Sequence, residues 1–165
     1  MIVLGIDPGS AICGYGFVEH PALKPLAVGV ITTSPNARMQ DRLLKIHTEL
    51  AALIAAYRPQ IMGLEKLFFG KNATTAIPVA QARGIVLLCA AQSNLDVIEL
   101  SPNEVKQAVT GYGHAEKEQV IYMVTKLLKL AAPPKPDDAA DALAIALAAG
   151  YQADSPAYRN FEALS

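Results

Sequence analysis

Two short apolar runs, each ending in an acid, constrain the fold of this chain most strongly. The first, MIVLGID, ends at Asp7, and the second, IMGLE, ends at Glu65. Short apolar runs bounded by Gly or Pro predict buried strands. The stretch between them contains apolar residues at helical spacing, and a helical crossover predicts that the two strands pair in parallel. Because neighbouring strands lie about 4.8 Å apart, we expect the two carboxylates to lie side by side.

A third stretch, PDDAADALAIALAAG, supplies two more acids at the head of a predicted helix. Asp138 and Asp141 are three residues apart, so their side chains share one face of that helix. Acids in a first helical turn are also favoured by the helix dipole. A glycine lies two residues before each strand-end acid, on the same strand face. These glycines leave room for something to approach the sheet.

Four acids that converge in a half-buried cleft would repel one another, and several would stay protonated near pH 7 without a cation. Oxygen ligands in this number suit Mg²⁺ or Mn²⁺. Two such ions can hold the attacking and leaving oxygens of a phosphate. We therefore interpret the acids as a metal-dependent site that hydrolyses a phosphodiester: Asp7, Glu65, Asp138 and Asp141.

Each acid taken singly has an ordinary structural explanation. Asp7, followed by Pro-Gly, suits a turn. Asp137 or Asp138 suits a helix N-cap, and Glu65 suits a solvated strand end. The conjunction of the acids, with glycine beside those at the strand ends, favours the metal site.

The motifs GIDPGS, LEKLFFGKN, QARG, VKQAVTGYGHAEKEQV and DDAADALAIALA, in this order, resemble the RuvC family of bacterial Holliday junction resolvases. The resemblance extends from about residue 2 to residue 150. It implies an RNase H-like fold, a homodimer and Mg²⁺-dependent symmetric nicking of four-way DNA junctions. It also implies the branch-migration proteins RuvA and RuvB as partners.

The resemblance implies that four acids carry both catalysis and metal binding: Asp7, Glu65, Asp138 and Asp141. From their number and oxygen chemistry, we expect these acids to hold two Mg²⁺ ions per active site, with Mn²⁺ as a substitute. A DNA-contacting aromatic residue falls on Phe68, and two basic residues near the site fall on Lys106 and Lys117. Lys71 lies in the same loop as Phe68, where aromatic and basic side chains can stack on bases and hold phosphate.

With 165 residues the chain is long enough for one domain with a core. The predicted fold is α/β, a five-stranded mixed sheet whose first three strands are antiparallel, with helices on both faces. Residues 1–150 form the predicted nuclease domain, with Gly150 as the C-cap of the last helix. Residues 151–165 form a tail that we expect to be poorly ordered. The predicted strands are Ile2–Asp7, Cys13–Glu19, Leu26–Thr32, Ile61–Glu65 and Leu95–Leu100.

Predicted helices follow from apolar spacing and from start and stop signals. Ser101-Pro102-Asn103-Glu104 is a capping box with proline at the first helical position. The run GIVLLCAA in the second helix is apolar on every side. Such a helix faces either a second subunit or the interior of a monomer, and the pattern alone leaves both open. The helices are expected at 38–57, 75–93, 102–111 and 115–130, and a last helix is expected to begin near Asp137 and Asp138 and to be closed by Gly150.

The net charge of −1 is low for a DNA-binding protein. With the four candidate acids set aside, 14 basic residues face 11 acidic ones, an excess of +3 that is compatible with DNA. Cys13 and Cys89 are expected to be reduced packing residues. No membrane span or signal peptide is predicted, so we expect a cytoplasmic protein.

Three other functions fit parts of the pattern. GIDPGS followed by a Gly-Tyr-Gly resembles the phosphate loop of actin-like ATPases and sugar kinases, but those proteins need a second domain to close over nucleotide. A non-catalytic nucleic-acid-binding relative is disfavoured by the intact Asp138 and Asp141. An RNase H-like nuclease that acts on RNA is disfavoured by the motifs other than the acids.

Overall fold

A computed structural model describes residues 1–67, 73–156 and 158, with the backbone alone for residues 73–75. Its five strands agree with the predicted ones to within two residues at each end. The strands are β1 (Ile2–Asp7), β2 (Ile12–Glu19), β3 (Lys24–Thr32), β4 (Ile61–Glu65) and β5 (Asp96–Leu100). The helices are α1 (Met39–Tyr57), α2 (Ala73–Gln92), α3 (Pro102–Thr110), α4 (Lys117–Leu127) and α5 (Asp137–Ala153).

The strands form one mixed sheet in the order β3-β2-β1-β4-β5. The first three strands are antiparallel neighbours, whereas β4 runs parallel to β1 and β5 runs parallel to β4. Parallel pairing of β1 with β4 needs a long connection, which α1 supplies. The predicted mixed sheet is confirmed.

Helices cover both faces of the sheet, as predicted. Alternate residues of β1 divide between two cores, with Val3 in the core that includes α3, α4 and α5, and Leu4 in the core that includes α1 and α2. Cys13 and Cys89 are free and buried in the second core. Among the described residues, no helix is both long and apolar enough to cross a membrane.

The glycines of the central strands let α5 lie directly on the sheet. A Cβ atom at Gly5 would collide with the carbonyl oxygen of Ala142. One at Gly63 would lie 2.7 Å from Cβ of Ala149, closer than side chains approach. The element that approaches through the predicted gap is therefore α5 itself, whose own residues at the contact are mostly alanine.

The start and stop signals of α3 are confirmed. Ser101 accepts a hydrogen bond from the backbone N–H of Glu104, and Glu104 accepts one from the backbone N–H of Ser101 at 2.6 Å. Gly111 ends the helix with a φ of 76°, which glycine adopts without strain. Pro78 lies in the second turn of α2.

Gly150 is not a C-cap, because α5 continues through it to Ala153. A Cβ atom at Gly150 would lie 2.8 Å from Nδ1 of His20. The glycine thus makes room for a buried imidazole instead of ending a helix. Residues 151–153 of the predicted tail complete α5, whereas residues 157 and 159–165 lie outside the described part of the chain.

Candidate active site

The carboxyl-terminal ends of β1 and β4 bring two acids next to each other. Asp7 is the last residue of β1, and Glu65 is the last residue of β4. The parallel register pairs Ile6 with Leu64, so the next step along both strands sets Asp7 beside Glu65. The predicted parallel pairing therefore brings both acids to the edge where open α/β sheets place ligand sites.

The first two turns of α5 bring Asp138 and Asp141 to the same edge. The backbone carbonyl of Asp138 lies so close to Gly14 that a Cβ atom there would collide with it. Gly14 pairs directly with Asp7 in the antiparallel ladder. The helix therefore begins directly over the strand end that carries Asp7.

Burial and the convergence of these acids raise the pKa of Asp7. Burial, together with the negative charges of Asp141, Asp138 and Glu65, raises the pKa of Asp7 from 3.8 to about 7, and the positive charge of Lys117 opposes this rise. Like charges and loss of water both favour the neutral form of a carboxyl group. The other three candidate acids thus all act on Asp7 through space.

Two other acids show the same effect in weaker form. Burial, followed by the charge of Asp141, raises the pKa of Glu65, and Lys106 opposes the rise. Burial also raises the pKa of Asp141, against the hydrogen bond and charge of Lys117. The cluster therefore holds an excess of negative charge that two lysines offset only in part.

A cavity of about 250 Å³ opens beside this cluster. Glu65 and Asp141 line it together with Lys106 and Lys117, and apolar side chains of α3, α4 and α5 form the rest of its wall. Three larger cavities, of about 330, 410 and 630 Å³, are lined by none of the four acids. Acids and bases meet in the smaller cavity, so we take it as the candidate site.

Lys117 binds two carboxylates at the rim of the cavity. Its Nζ atom lies 3.1 Å from Oδ2 of Asp141 and 3.3 Å from Oδ2 of Asp137. Partial burial lowers the pKa of Lys117, but the bonds to Asp141 and Asp137 outweigh it and the pKa is raised. Lys117 is the first residue of α4, where its positive charge opposes that helix's dipole. The nearby carboxylates of Asp141 and Asp137 offset that charge.

The donor set fits a hard divalent cation, since carboxylate oxygens that repel one another are stabilised by shared positive charge. Within the described ranges, no three carboxylate, imidazole or thiol side chains lie close enough to hold one ion as they stand.

Two sequence interpretations need correction or completion. Asp137 and Asp138 are not N-caps, because both lie inside α5, whose N-cap is Pro136. Phe68 and Lys71 lie outside the described residues, so their predicted roles in DNA binding stay predictions.

Sequence reasoning missed the role of Arg83. Its guanidinium donates a hydrogen bond to the backbone carbonyl of Glu65 at 2.7 Å and pairs with Glu99 at 2.7 Å. The side chain is 11% exposed, so α2 fixes the end of β4 through a nearly buried arginine. An arginine within the apolar stretch around QARG was the available signal.

Comparison with known proteins identifies the chain. Residues 3–149 match the family described as crossover junction endodeoxyribonuclease RuvC. The protein of that name from Heliobacterium modesticaldum is 52% identical over 153 residues, covering 92% of this chain and 94% of the relative. The one from Caldicellulosiruptor saccharolyticus is 45% identical over 165 residues, covering 98% and 99%.

Solved structures agree with these matches. RuvC of Thermus thermophilus in complex with a Holliday junction substrate superposes with a TM-score of 0.88 at 39% identity, covering 93% of this chain and 94% of that one. The yeast mitochondrial Holliday junction resolvase Ydc2, at 18% identity and a TM-score of 0.66, shares the fold; the match covers 96% of this chain and 83% of that one.

The mixed sheet, with helices on both faces, defines an RNase H-like protein with acids at the strand ends. Within that class, the chain belongs to the RuvC family of crossover junction endodeoxyribonucleases. The alternative of an actin-like ATP-handling domain gives way to this assignment.

Proposed function

We propose that this protein is a structure-selective endonuclease that resolves Holliday junctions in DNA recombination and repair. It nicks two opposing strands at symmetric positions. The observation that carries the proposal is the placement of four acids at one sheet edge, by the ends of β1 and β4 and the start of α5, in a chain of the RuvC family. The complex of the Thermus thermophilus relative with a Holliday junction supports a four-way junction as the substrate.

In this proposal the four acids, Asp7, Glu65, Asp138 and Asp141, are both catalytic residues and metal ligands. Two Mg²⁺ ions per site would supply charge stabilisation and a stronger nucleophile, with Mn²⁺ as a substitute. The chain's part is to hold the ligands on rigid elements. Asp7 and Glu65 are fixed by the sheet, and Asp138 and Asp141 by a helix packed on glycine. The raised pKa of Asp7 supports a cation at this position.

Two lysines are proposed to face the phosphate. Lys106 and Lys117 line the cavity together with Glu65 and Asp141, so an anionic backbone that enters it meets positive charge beside the acids. Preorganised positive charge stabilises the charge that develops on phosphate during cleavage. Phe68 and Lys71, which follow β4 in the sequence, are proposed to complete the DNA contacts.

The second copy that symmetric nicking requires is proposed to bind through α2. Ile77 and Leu88 lie on this helix eleven residues apart, which is about three turns, so they share one face. Their exposed fractions are 62% and 46%. An apolar helix face left in water favours association. The pairing of two such faces would supply two sites, one for each of two opposing strands.

The remaining assignments are also proposals. Residues 1–150 are the proposed nuclease domain, to which the structure adds the end of α5 at Ala153. We propose a cytoplasmic location, for which the two buried free cysteines are suited. RuvA and RuvB are the proposed partners in branch migration.

One assay tests the proposal against its alternatives. Purified protein with Mg²⁺ is given a synthetic four-way junction, a linear duplex of the same sequence and an RNA–DNA hybrid. We expect symmetric nicks in the junction alone, and an Asp7→Asn variant that binds the junction without cutting it. Binding without cleavage in every divalent metal would instead favour the non-catalytic relative, and cleavage of the hybrid would favour the RNA-directed nuclease.

A further inference from the structure

Lys117 is held by two carboxylates, of which only one belongs to the proposed catalytic set. Its Nζ atom lies within 3.3 Å of Asp137 and 3.1 Å of Asp141. These two acids are four residues apart in α5, so their side chains project from the same side of the helix. The ammonium group therefore lies across one helical turn, between a proposed metal ligand and an acid without an assigned role.

In the proposed reaction, Asp141 binds a metal ion, whereas Asp137 does not, so the two ion pairs of Lys117 are not equivalent. If Asp141 gives its oxygens to a bound cation, that cation competes with Lys117 for the same carboxylate. Asp137 lies farther out, with 59% of its side chain exposed against 33% for Asp141, and has no competing use. Lys117 is itself 49% exposed, and a lysine of that exposure without partners spreads over many rotamers.

We propose that Asp137 is a positioning residue that retains Lys117 at the rim of the catalytic cavity while Asp141 serves as a metal ligand. The ammonium group then stays beside the phosphate during cleavage. Asp137 itself touches neither substrate nor metal and acts through Lys117. This inference rests on the proposed nuclease function.

A double-mutant cycle on junction cleavage with Mg²⁺ tests the inference. Asp137→Asn keeps the shape of the side chain and removes its charge. We expect the maximal cleavage rate to fall about fivefold, while junction affinity measured in Ca²⁺ stays within about twofold. In a Lys117→Gln background the same substitution should change nothing, and Asp137→Glu should restore most of the rate.

Glu118→Gln is the matched control. It removes one negative charge from the residue next to Lys117, and Glu118 is exposed on the same turn of α4. The ion pairs of Lys117 among the described residues are those with Asp137 and Asp141. The Glu118→Gln variant should therefore cleave at the wild-type rate.

A second readout does not depend on cleavage. The side-chain ¹⁵N resonance of Lys117, assigned by its loss in Lys117→Gln, reports whether the ammonium group is bound. With Mg²⁺ present and no DNA, the wild-type resonance should remain distinct from that of solvated lysines. In Asp137→Asn it should move to the position of solvated lysines.

The possible failures are distinguishable. Equal slowing by Asp137→Asn in both backgrounds, or an ammonium resonance that does not move, would overturn the positioning role and leave the nuclease function intact. A wild-type protein that leaves the junction uncut would overturn the proposed function, and this inference with it.

Discussion

At the scale of single residues, Asp7 shows how the fold alters the ionisation of a carboxyl group. The pKa of its carboxyl group is about 7 in the folded protein, against 3.8 for an unperturbed aspartate. Between these values the folded chain binds a proton that the unfolded chain has released. The contribution of Asp7 to stability therefore falls as pH rises from about 4 to about 7. Above pH 7 the ionised carboxylate destabilises the folded protein in full.

Replacement of Asp7 by a neutral residue should remove this destabilisation. In EDTA at pH 8, Asp7→Asn should be more stable than wild type by on the order of 3 kcal/mol, because a neutral amide needs no counter-charge. At pH 4 the two proteins should be equally stable. Urea unfolding at both pH values measures the difference, and Asp96→Asn, at an exposed residue of β5, serves as the control. Equal stabilities of wild type and Asp7→Asn at pH 8 would contradict the account.

Residue roles were predictable where the sequence position alone decides them. Asp7 and Glu65 end apolar runs, so their place at the sheet edge follows from the pattern. The double ion pair of Lys117 and the contact of Arg83 with Glu65 were not predictable, because they depend on where α4 and α2 pack. The N-cap interpretation of Asp137 was wrong because Pro136 is the N-cap and Asp137 is the first residue of the helix.

At the scale of elements, the close approach of α5 to the sheet sets the geometry of the site. A Cβ atom at Gly5 would overlap backbone atoms of both Ala142 and Ala146. Neither contact involves a flexible side-chain end that can move away, so the helix itself must shift. Asp138 and Asp141 would shift with it.

Gly5→Ala should therefore lower both stability and cleavage. We expect a loss of about 3 kcal/mol, at the upper end of overpacking costs, and a cleavage rate at least about tenfold lower, since small displacements of catalytic groups are costly. Gly113→Ala is the control, because a Cβ atom there meets its nearest neighbour at 3.5 Å, an ordinary contact. A Gly5→Ala variant with wild-type stability would show that α5 does not rest on this glycine.

The link from α2 to β4 gives a second prediction at this scale. Arg83→Gln should weaken Mg²⁺ binding, since the carbonyl of Glu65 loses its 2.7 Å donor and the strand end loosens. We expect about a tenfold higher Mg²⁺ concentration for half-maximal cleavage, in the range seen when partners of metal ligands are lost. Glu99→Gln removes the other partner of Arg83 and should have a smaller effect. An equal effect of both variants would show that the ion pair between Arg83 and Glu99, and not the hydrogen bond to Glu65, affects Mg²⁺ binding.

Element boundaries were predictable where a cap decides them and less so where packing does. The capping box at Ser101 and the left-handed Gly111 define α3 by local chemistry. Glycine commonly ends helices, but Gly150 lies inside α5 and makes room for the ring of His20. This contact depends on the packing of the folded chain, so the sequence did not predict it. The sequence predicted that Gly5 and Gly63 leave space above the sheet. It did not predict that α5 fills this space.

At the scale of the whole molecule, symmetric nicking requires two sites and therefore two chains. Ile77→Glu combined with Leu88→Glu should convert the proposed dimer to a monomer, because two charges would be buried at the interface. Sedimentation velocity measures the mass. The variant should lose coordinated cutting of both strands, while Tyr122→Glu, at an exposed residue on the opposite face of the sheet, should remain dimeric. A double variant that stays dimeric would place the interface elsewhere.

The central claim is that four acids from two strands and one helix act as one catalytic site. The most direct measurement is cleavage of a four-way junction, labelled in turn on each strand, by wild type and by the four single variants Asp7→Asn, Glu65→Gln, Asp138→Asn and Asp141→Asn. We expect paired nicks in opposing strands for wild type and a loss of at least about a hundredfold for every variant, with junction binding retained. If any of the four variants cut at the wild-type rate, that acid would not belong to the site; if all four did, the account would be contradicted.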